Sequence, residues 1–343
     1  MGKKVIALLL CLATVVPVGA GVARLSETVE RYPAKQGGKW GYIDKTGQIV
    51  IQPQFDYAWD FSEGLALVEV GVKKGYVDMA GTLIIKAQLT NALNFSEGFA
   101  AALIDGQWVY IDKSGKVALR PRYCLVNPYE YSDVADDGPS ILSFSDGLAL
   151  IARCEGEPAV YVNKAGKLAI KATVQTGRGF SGGLAAVQID GKWGYIDTAG
   201  RTAIEPQYEH VCDFSEGVAT VAIDKKWGLI DKTGRLVLAP RFNSPLQFSE
   251  GLAAILVDGR WGYVDKRGQT FIAPVFDQAQ SFSEGLAAVR VGPKFGFINK
   301  DGNFVIAPQF GFTEGFRRGL ARIHGPGPGY IDKSGEYVWR DSD

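Results

Sequence analysis

The chain has 343 residues, with 37 Lys and Arg against 37 Asp and Glu, so it is formally neutral. That balance excludes the basic footprint that nucleic acid or anionic lipid would call for. Beyond an N-terminal apolar stretch that contains Cys11, three cysteines remain, Cys124, Cys154 and Cys212, and an odd number excludes a complete disulfide framework.

Taken in order, the chain opens with Lys3 and Lys4, an uncharged run from Val5 to Val16, a break at Pro17 and the small residues Gly19 and Ala20. This pattern predicts a secretory signal peptide over 1–20, with the exported chain over 21–343. The run is 12 residues, short of the roughly 20 that a spanning helix needs. No later segment is apolar for long enough to span, so no membrane span is expected after cleavage.

The rest is one unit copied repeatedly. Phe180, Phe214, Phe248, Phe282 and Phe316 follow one another at intervals of 34 residues, a period that marks a repeat architecture. Nine repeat centres are legible, at Trp40, Gly75, Trp108, Ala159, Trp193, Trp227, Trp261, Phe295 and Pro328-Gly329. Each unit predicts three short strands. The first is Leu-Ala-Ala-Val, as in Leu252–Ile255, and it ends in Asp-Gly pairs such as Asp258-Gly259, the strongest short signal for a tight hairpin. The second is Trp-Gly-Tyr-Ile-Asp, as in Trp193–Asp197, closed by Asp-Lys-Thr-Gly turns such as Asp231–Gly234. The third ends at a recurring proline (Pro53, Pro121, Pro206, Pro240, Pro274, Pro308), which cannot donate to a ladder and marks an edge or a strand end. The link Phe-Ser-Glu-Gly then returns the chain to the next copy, its Phe read as a core plug and its Ser-Glu as a local turn.

Phe144 follows Phe95 by 49 residues, an excess of 15 over the period. The inserted stretch, 125–143, contains Tyr129, Glu130, Tyr131, Asp133, Asp136 and Asp137. Insertions in repeats map to loops on one face, often the binding face, and tyrosines beside acids suit protein or glycan contact. These six are the candidate binding residues; the alternative is a tolerated surface insertion. Cys124 and Cys154 flank it and could pair in an oxidising compartment, or all three thiols could remain reduced and buried.

No catalytic arrangement, cofactor motif or metal spacing is readable. His210 and His324 are isolated, and one Asp per turn is too few oxygens for a calcium loop, so that Asp reads as a turn residue. Trp40, Trp108, Trp193, Trp227, Trp261 and Phe295 recur as structural positions, all but Trp108 beside glycine, and read as core between copies rather than a sugar-stacking ladder.

Lys39–Gly47, Lys192–Asp197 and Arg260–Asp265, together with Phe-Ser-Glu-Gly-Leu-Ala and Ile-x-Pro-Gln-Phe, resemble the WG-containing (KWG) repeat family of bacterial proteins. The resemblance covers nearly all of the chain past the leader. It implies a bacterial origin, an all-β repeat array and a binding or scaffolding role, and it carries no catalytic residues over.

The expected fold is therefore all-β, a tandem array of three-stranded antiparallel units. An open superhelix or solenoid is preferred, with propeller-like closure as the alternative, because propellers usually have four-stranded blades and about four to eight of them. The expected function is a non-enzymatic secreted protein-binding or scaffolding module of the cell envelope, periplasmic or at the cell surface. Its partner would be an envelope protein, or alternatively a cell-wall glycan.

Overall fold

A computed structural model describes residues 30–120, 142–151, 159–170 and 176–342. Every element described is a β-strand, and no helix among these residues is long and apolar enough to cross a membrane. The strands form nine antiparallel sheets over residues 32–55, 57–89, 91–119, 144–170, 176–208, 210–242, 248–276, 278–310 and 312–340, here blades 1 to 9. All nine are arranged as a closed β-propeller.

Eight of the blades have four strands in simple up-and-down order, and blade 1 has three. The expected three-stranded unit is thus corrected by one strand. The extra strand lies in the link ahead of Phe-Ser-Glu-Gly, as in His210–Val211 and Gln278–Ala279, and pairs with the strand that follows it. Two residues are too few to leave an alternating pattern in the sequence, and only the neighbouring strand holds them extended. In each blade this short strand lies toward the axis. The fourth strand, as in Leu83–Leu89, alternates exposed and buried residues and forms the rim.

The preference for an open superhelix is corrected to closure. Nine buried apolar clusters each join two adjacent blades, and one of them joins Tyr32, Ala34 and Ile43 of blade 1 to Leu320 and Tyr330 of blade 9. The seam repeats contacts found around the ring. Within the chain, the amide after a rim strand donates to the next blade (Asp56 to the Glu69 carbonyl, Asp277 to the Arg290 carbonyl); at the seam Ser342 donates to Lys35 in the same way. Turn glycines pack on the preceding rim strand, Gly81 on Ile51 and Gly234 on Ile204, and Gly47 lies on Val338.

Between blades the motif residues act as couplers. The tyrosine of Trp-Gly-Tyr packs its ring on the link phenylalanine of the next blade, with centroids 4.8 Å apart for Tyr42–Phe61, Tyr76–Phe95 and Tyr195–Phe214. Its hydroxyl donates to a carbonyl 17 residues on: Tyr42 to Trp59, Tyr161 to Arg178, Tyr263 to Gln280. Burial pushes these phenols well above their ordinary value, so they remain donors. The link serine donates to the next link phenylalanine's carbonyl, from Ser62 to Phe95 through Ser283 to Phe316.

The link glutamate spans blades as well, more than the local turn role expected of it. Glu216 accepts the Gly251 amide and pairs with Lys266 at 3.1 Å, while Lys266 also donates to the Glu216 carbonyl. Desolvation pushes the Glu216 carboxyl up, but Lys266 and the Gly251 amide outweigh it and hold it below the ordinary value. Glu63, Glu250 and Glu284 repeat the clamp with Lys113, Lys300 and Lys333.

Within a blade, the glycine after tryptophan is set by the rim strand, which bulges at its proline across that glycine. A Cβ at Gly228 would sit 2.5 Å from the Leu238 carbonyl oxygen and 2.8 Å from the Pro240 nitrogen, both backbone atoms. The turn aspartate does the turn work expected of it. Asp231 Oδ1 accepts the Thr233 and Arg235 amides and the Thr233 hydroxyl. The hydroxyl first, then those amides, hold its carboxyl below the ordinary 3.8.

At the seam, Arg322 and Asp341 form a doubly hydrogen-bonded ion pair whose side chains are 13% and 6% exposed. Asp341 also accepts from the Trp339 indole and the Lys35 amide.

Three outcomes follow. Gly228→Ala should lose about 2–3 kcal/mol in urea unfolding, since overpacking here meets backbone that cannot rotate aside. Asp231→Ala should lower stability at neutral pH, whereas Asp231→Asn should hold it, because Asn163 and Asn299 make the same turn bonds. The folded Asp231 titrates below its unfolded value, so its stabilisation is present above that unfolded value and lost as pH falls through the folded one. The acid limb of a pH–stability curve should therefore flatten in Asp231→Asn, and an unchanged limb would count against the role. Asp341→Ala should cost about 3–5 kcal/mol by leaving the Arg322 charge buried and unpaired, with most of it recovered in Arg322→Met/Asp341→Leu.

Candidate functional site

The side chains that recur in every copy are engaged in holding blades together, so a distinctive site has to come from departures from the repeat. Trp108 and Phe295 are buried, and Trp40, Trp193, Trp227 and Trp261 are half-buried. Trp40, Trp193 and Trp261 pack on inter-blade clusters. Trp227 stacks with His210, centroids 6.2 Å apart and planes 27° apart. None of these rings stands as an exposed row.

The departures gather at the seam between blades 9 and 1, where blade 1 has no axial strand among the described residues. The space where that strand runs in other blades is a cleft of about 420 Å³. Its aromatic wall is Trp40, Tyr57 and Trp59, with ring centroids 5.1 Å apart for Trp40–Tyr57 and 4.5 Å for Tyr57–Trp59. Facing it are Asp60 and Arg317, and Glu314, whose Oε1 lies 2.6 Å from His324 Nε2. Asp60 is exposed at the cleft, with protein around it. Desolvation by that protein raises its carboxyl, against the lowering effect of Arg317 and Arg318.

Three substitutions in the motif build this seam. Arg322 stands where blades 3, 5, 6, 7 and 8 carry a small residue (Ala101, Ala186, Thr220, Ala254, Ala288) and blades 2 and 4 carry Leu67 and Leu150. Arg317-Arg318 replaces Ser-Glu, and Arg318 pairs with Glu30 at 3.1 Å instead of clamping a lysine. The absence of an axial strand from blade 1 among the described residues adds to them. The three substitutions were visible as breaks in the repeat, but only closure places them together. Sequence reasoning missed Asp60, Glu314 and Arg317 because each lies in a link that reads as a connector.

The inserted segment's candidate residues, Tyr129, Glu130, Tyr131, Asp133, Asp136 and Asp137, lie outside the described residues, as do Cys124 and Cys154 and the leader over 1–20. Cys212 is half-buried and unpaired, its thiol pushed up by burial; its carbonyl accepts the Tyr195 hydroxyl. Among the described residues no group of three His, Cys, Asp or Glu side chains converges as a metal site.

Comparison with known proteins agrees with this architecture. A eukaryotic initiation factor crystal structure matches with a TM-score of 0.62 at 11% identity, over 91% of this chain and 96% of that one. The dihydro-heme d1 dehydrogenase NirN matches with a TM-score of 0.44 at 12% identity, over 91% of this chain and 73% of that one. At such identities the likeness to the initiation factor concerns the fold alone. No curated protein sequence matches the chain. Seven segments, 40–73 and 75–108, then 161–193, 193–227, 227–261, 261–294 and 295–323, match the WG containing repeat. They take in most of the propeller, and the chain belongs to the WG-containing-repeat family.

Proposed function

We propose that this protein is a non-enzymatic, exported scaffold that binds another protein in the bacterial cell envelope. Export rests on the basic start, the short apolar run and the small residues before Gly21. The scaffolding reading is supported by the family and by a rigid ring in which the repeated polar groups are engaged in blade-to-blade bonds.

The observation that carries the choice of a protein partner is an apolar band on the rim of blades 6, 7 and 8. Val237, Phe271 and Val305 occupy the same position in successive blades and are exposed, Phe271 by 57%, with Leu236 and Phe304 beside them. Blades 3, 4 and 5 carry Ala118, Ala169 and Ala203 there. Exposed aliphatic and Phe side chains in one patch suit a protein surface. A sugar-stacking face would instead present rows of open Trp or Tyr rings.

The test is capture of solubilised envelope proteins on the immobilised chain, with purified cell-wall sacculi in parallel. The expected result is one protein that binds saturably once purified and loses at least tenfold in affinity to Phe271→Asp. Retention on sacculi competed by soluble wall fragments, with no effect of Phe271→Asp, would replace this with the glycan reading.

A further inference from the structure

We propose that the seam cleft between blades 9 and 1 is a binding site for an organic cation, a guanidinium or ammonium group carried on an aliphatic stem. A basic side chain of the scaffold's partner is the first source, and a free amine is the second. The first source rests on the protein-scaffold reading above; the site itself does not.

The cleft is not a slot awaiting a missing strand. In blade 2 the positions that face the axial strand include Glu69, whose carbonyl accepts the Asp56 amide; the corresponding positions of blade 1 are Lys35 and Pro33. Pro33 has no amide to offer, and its carbonyl accepts the Tyr330 hydroxyl at 3.0 Å. The Lys35 amide donates to Asp341 at 3.2 Å and its carbonyl accepts from Ser342 at 3.1 Å. The carbonyl bond is the one blade 2 makes beside its own axial strand, so the difference at this edge is Pro33, with no amide, and the Lys35 amide, already held by Asp341. An added strand would find those two donors missing, so a ligand here is read by side chains.

Those side chains favour positive charge. The Asp60 carboxylate has neither a hydrogen bond nor an ion pair among the described residues, and it borders a cleft that partly desolvates it. Glu314 uses one oxygen on His324 and leaves the other open. Of the arginines nearby, Arg322 is neutralised by Asp341 and Arg318 by Glu30. Among the described residues, two carboxylates therefore face the space against one cation without an ion-pair partner, Arg317. The aromatic wall already accepts cations from the protein itself. Lys74 Nζ lies 4.9 Å from the Trp59 ring centroid, and the Arg322 guanidinium lies 5.7 Å from Trp40 and 4.8 Å from Tyr330. Ring faces beside carboxylates are the setting in which a cation gains most from the ring quadrupole. A cleft of about 420 Å³ holds the stem of an arginine or lysine as well as its head, with the stem against the rings.

The experiment is a titration of the full chain followed by tryptophan fluorescence, since Trp40 and Trp59 line the cleft. The probes are N-acetyl-arginine amide, N-acetyl-lysine amide, N-acetyl-glutamate amide and chitobiose. Saturable quenching by one or both basic amides, weakened at least tenfold in Asp60→Asn and in Glu314→Gln with unchanged melting temperature, is the expected result. Phe271→Asp, on the rim, should leave this binding unaltered, which separates the site from the rim's partner contact. No saturable response to either basic amide, a stronger response to the glutamate amide or to chitobiose, or full binding retained by Asp60→Asn would each overturn the proposal. Release of the captured envelope protein by excess N-acetyl-arginine amide assigns the cation to the partner, and saturable binding of the amide without release assigns it to a free amine.

Discussion

The structure depends on one contact made repeatedly, the tyrosine of one blade set against the link phenylalanine of the next. The ring pair buries two large apolar surfaces at the blade boundary, and for Tyr42, Tyr76, Tyr161, Tyr195 and Tyr263 the phenol donates to a carbonyl of the following link. The buried Tyr110 hydroxyl, by contrast, has no hydrogen-bond partner among the described residues, and blade 8 carries Phe297 instead of the tyrosine. A buried hydroxyl without that acceptor would cost free energy, so the contact fixes angle as well as distance. With that geometry set, the serine-to-carbonyl bond and the glutamate–lysine clamp fall into place around it. Each clamp is partly exposed and adds little alone; the pair of rings beneath it supplies the apolar burial. Blade 6 carries Leu229 at the tyrosine position, and its boundary is held by a purely apolar cluster with Phe248 instead.

This arrangement explains why the motif reads as it does. The glycine after tryptophan is dictated by a neighbouring strand of the same blade that crosses it at backbone distance. The strand bulges there with proline two residues beyond the crossing carbonyl, as at Pro240, and equally with Ala87 in blade 2, so the bulge and not the proline sets the glycine. The turn aspartate is likewise accounted for by three hydrogen bonds to its Oδ1 within its own turn. Repeated residues of this kind report on the ring, so activity has to be sought where the repeat fails.

The repeat fails at the seam. A ring of identical units would have nine equivalent boundaries, yet a single chain has two ends and must close with different residues. Arg322, Arg318 and Asp341 take over positions that a small or aliphatic residue, glutamate and a rim strand hold in other blades, and they border a polar, aromatic-walled space where blade 1 has no axial strand among the described residues. Closure and a candidate binding cleft therefore have the same origin. On the outside, one rim position carries larger apolar side chains on six blades (Val50, Ile84, Val237, Phe271, Val305 and Val338) and alanine on blades 3 to 5, and blades 6 to 8 present three of the larger ones in succession.

Sequence alone determined the strand content, the repeat period, the tight turns, the nine units and the family, because each is written in local spacing or in residues with restricted backbone freedom. Asp-Gly and Asp-Lys-Thr-Gly specify their turns within four residues, and the 34-residue interval between Phe214 and Phe248 repeats without reference to anything distant. The two-residue axial strands, the closure and the cleft were decided by tertiary structure. A strand as short as His210–Val211 has no pattern of its own and is held by its neighbour. Whether units stack openly or close depends on a small rotation per unit summed over the whole chain, and no single residue encodes that sum. Asp60 and Glu314 lie 254 residues apart in sequence (314 minus 60), and only a closed ring brings them to the same cleft.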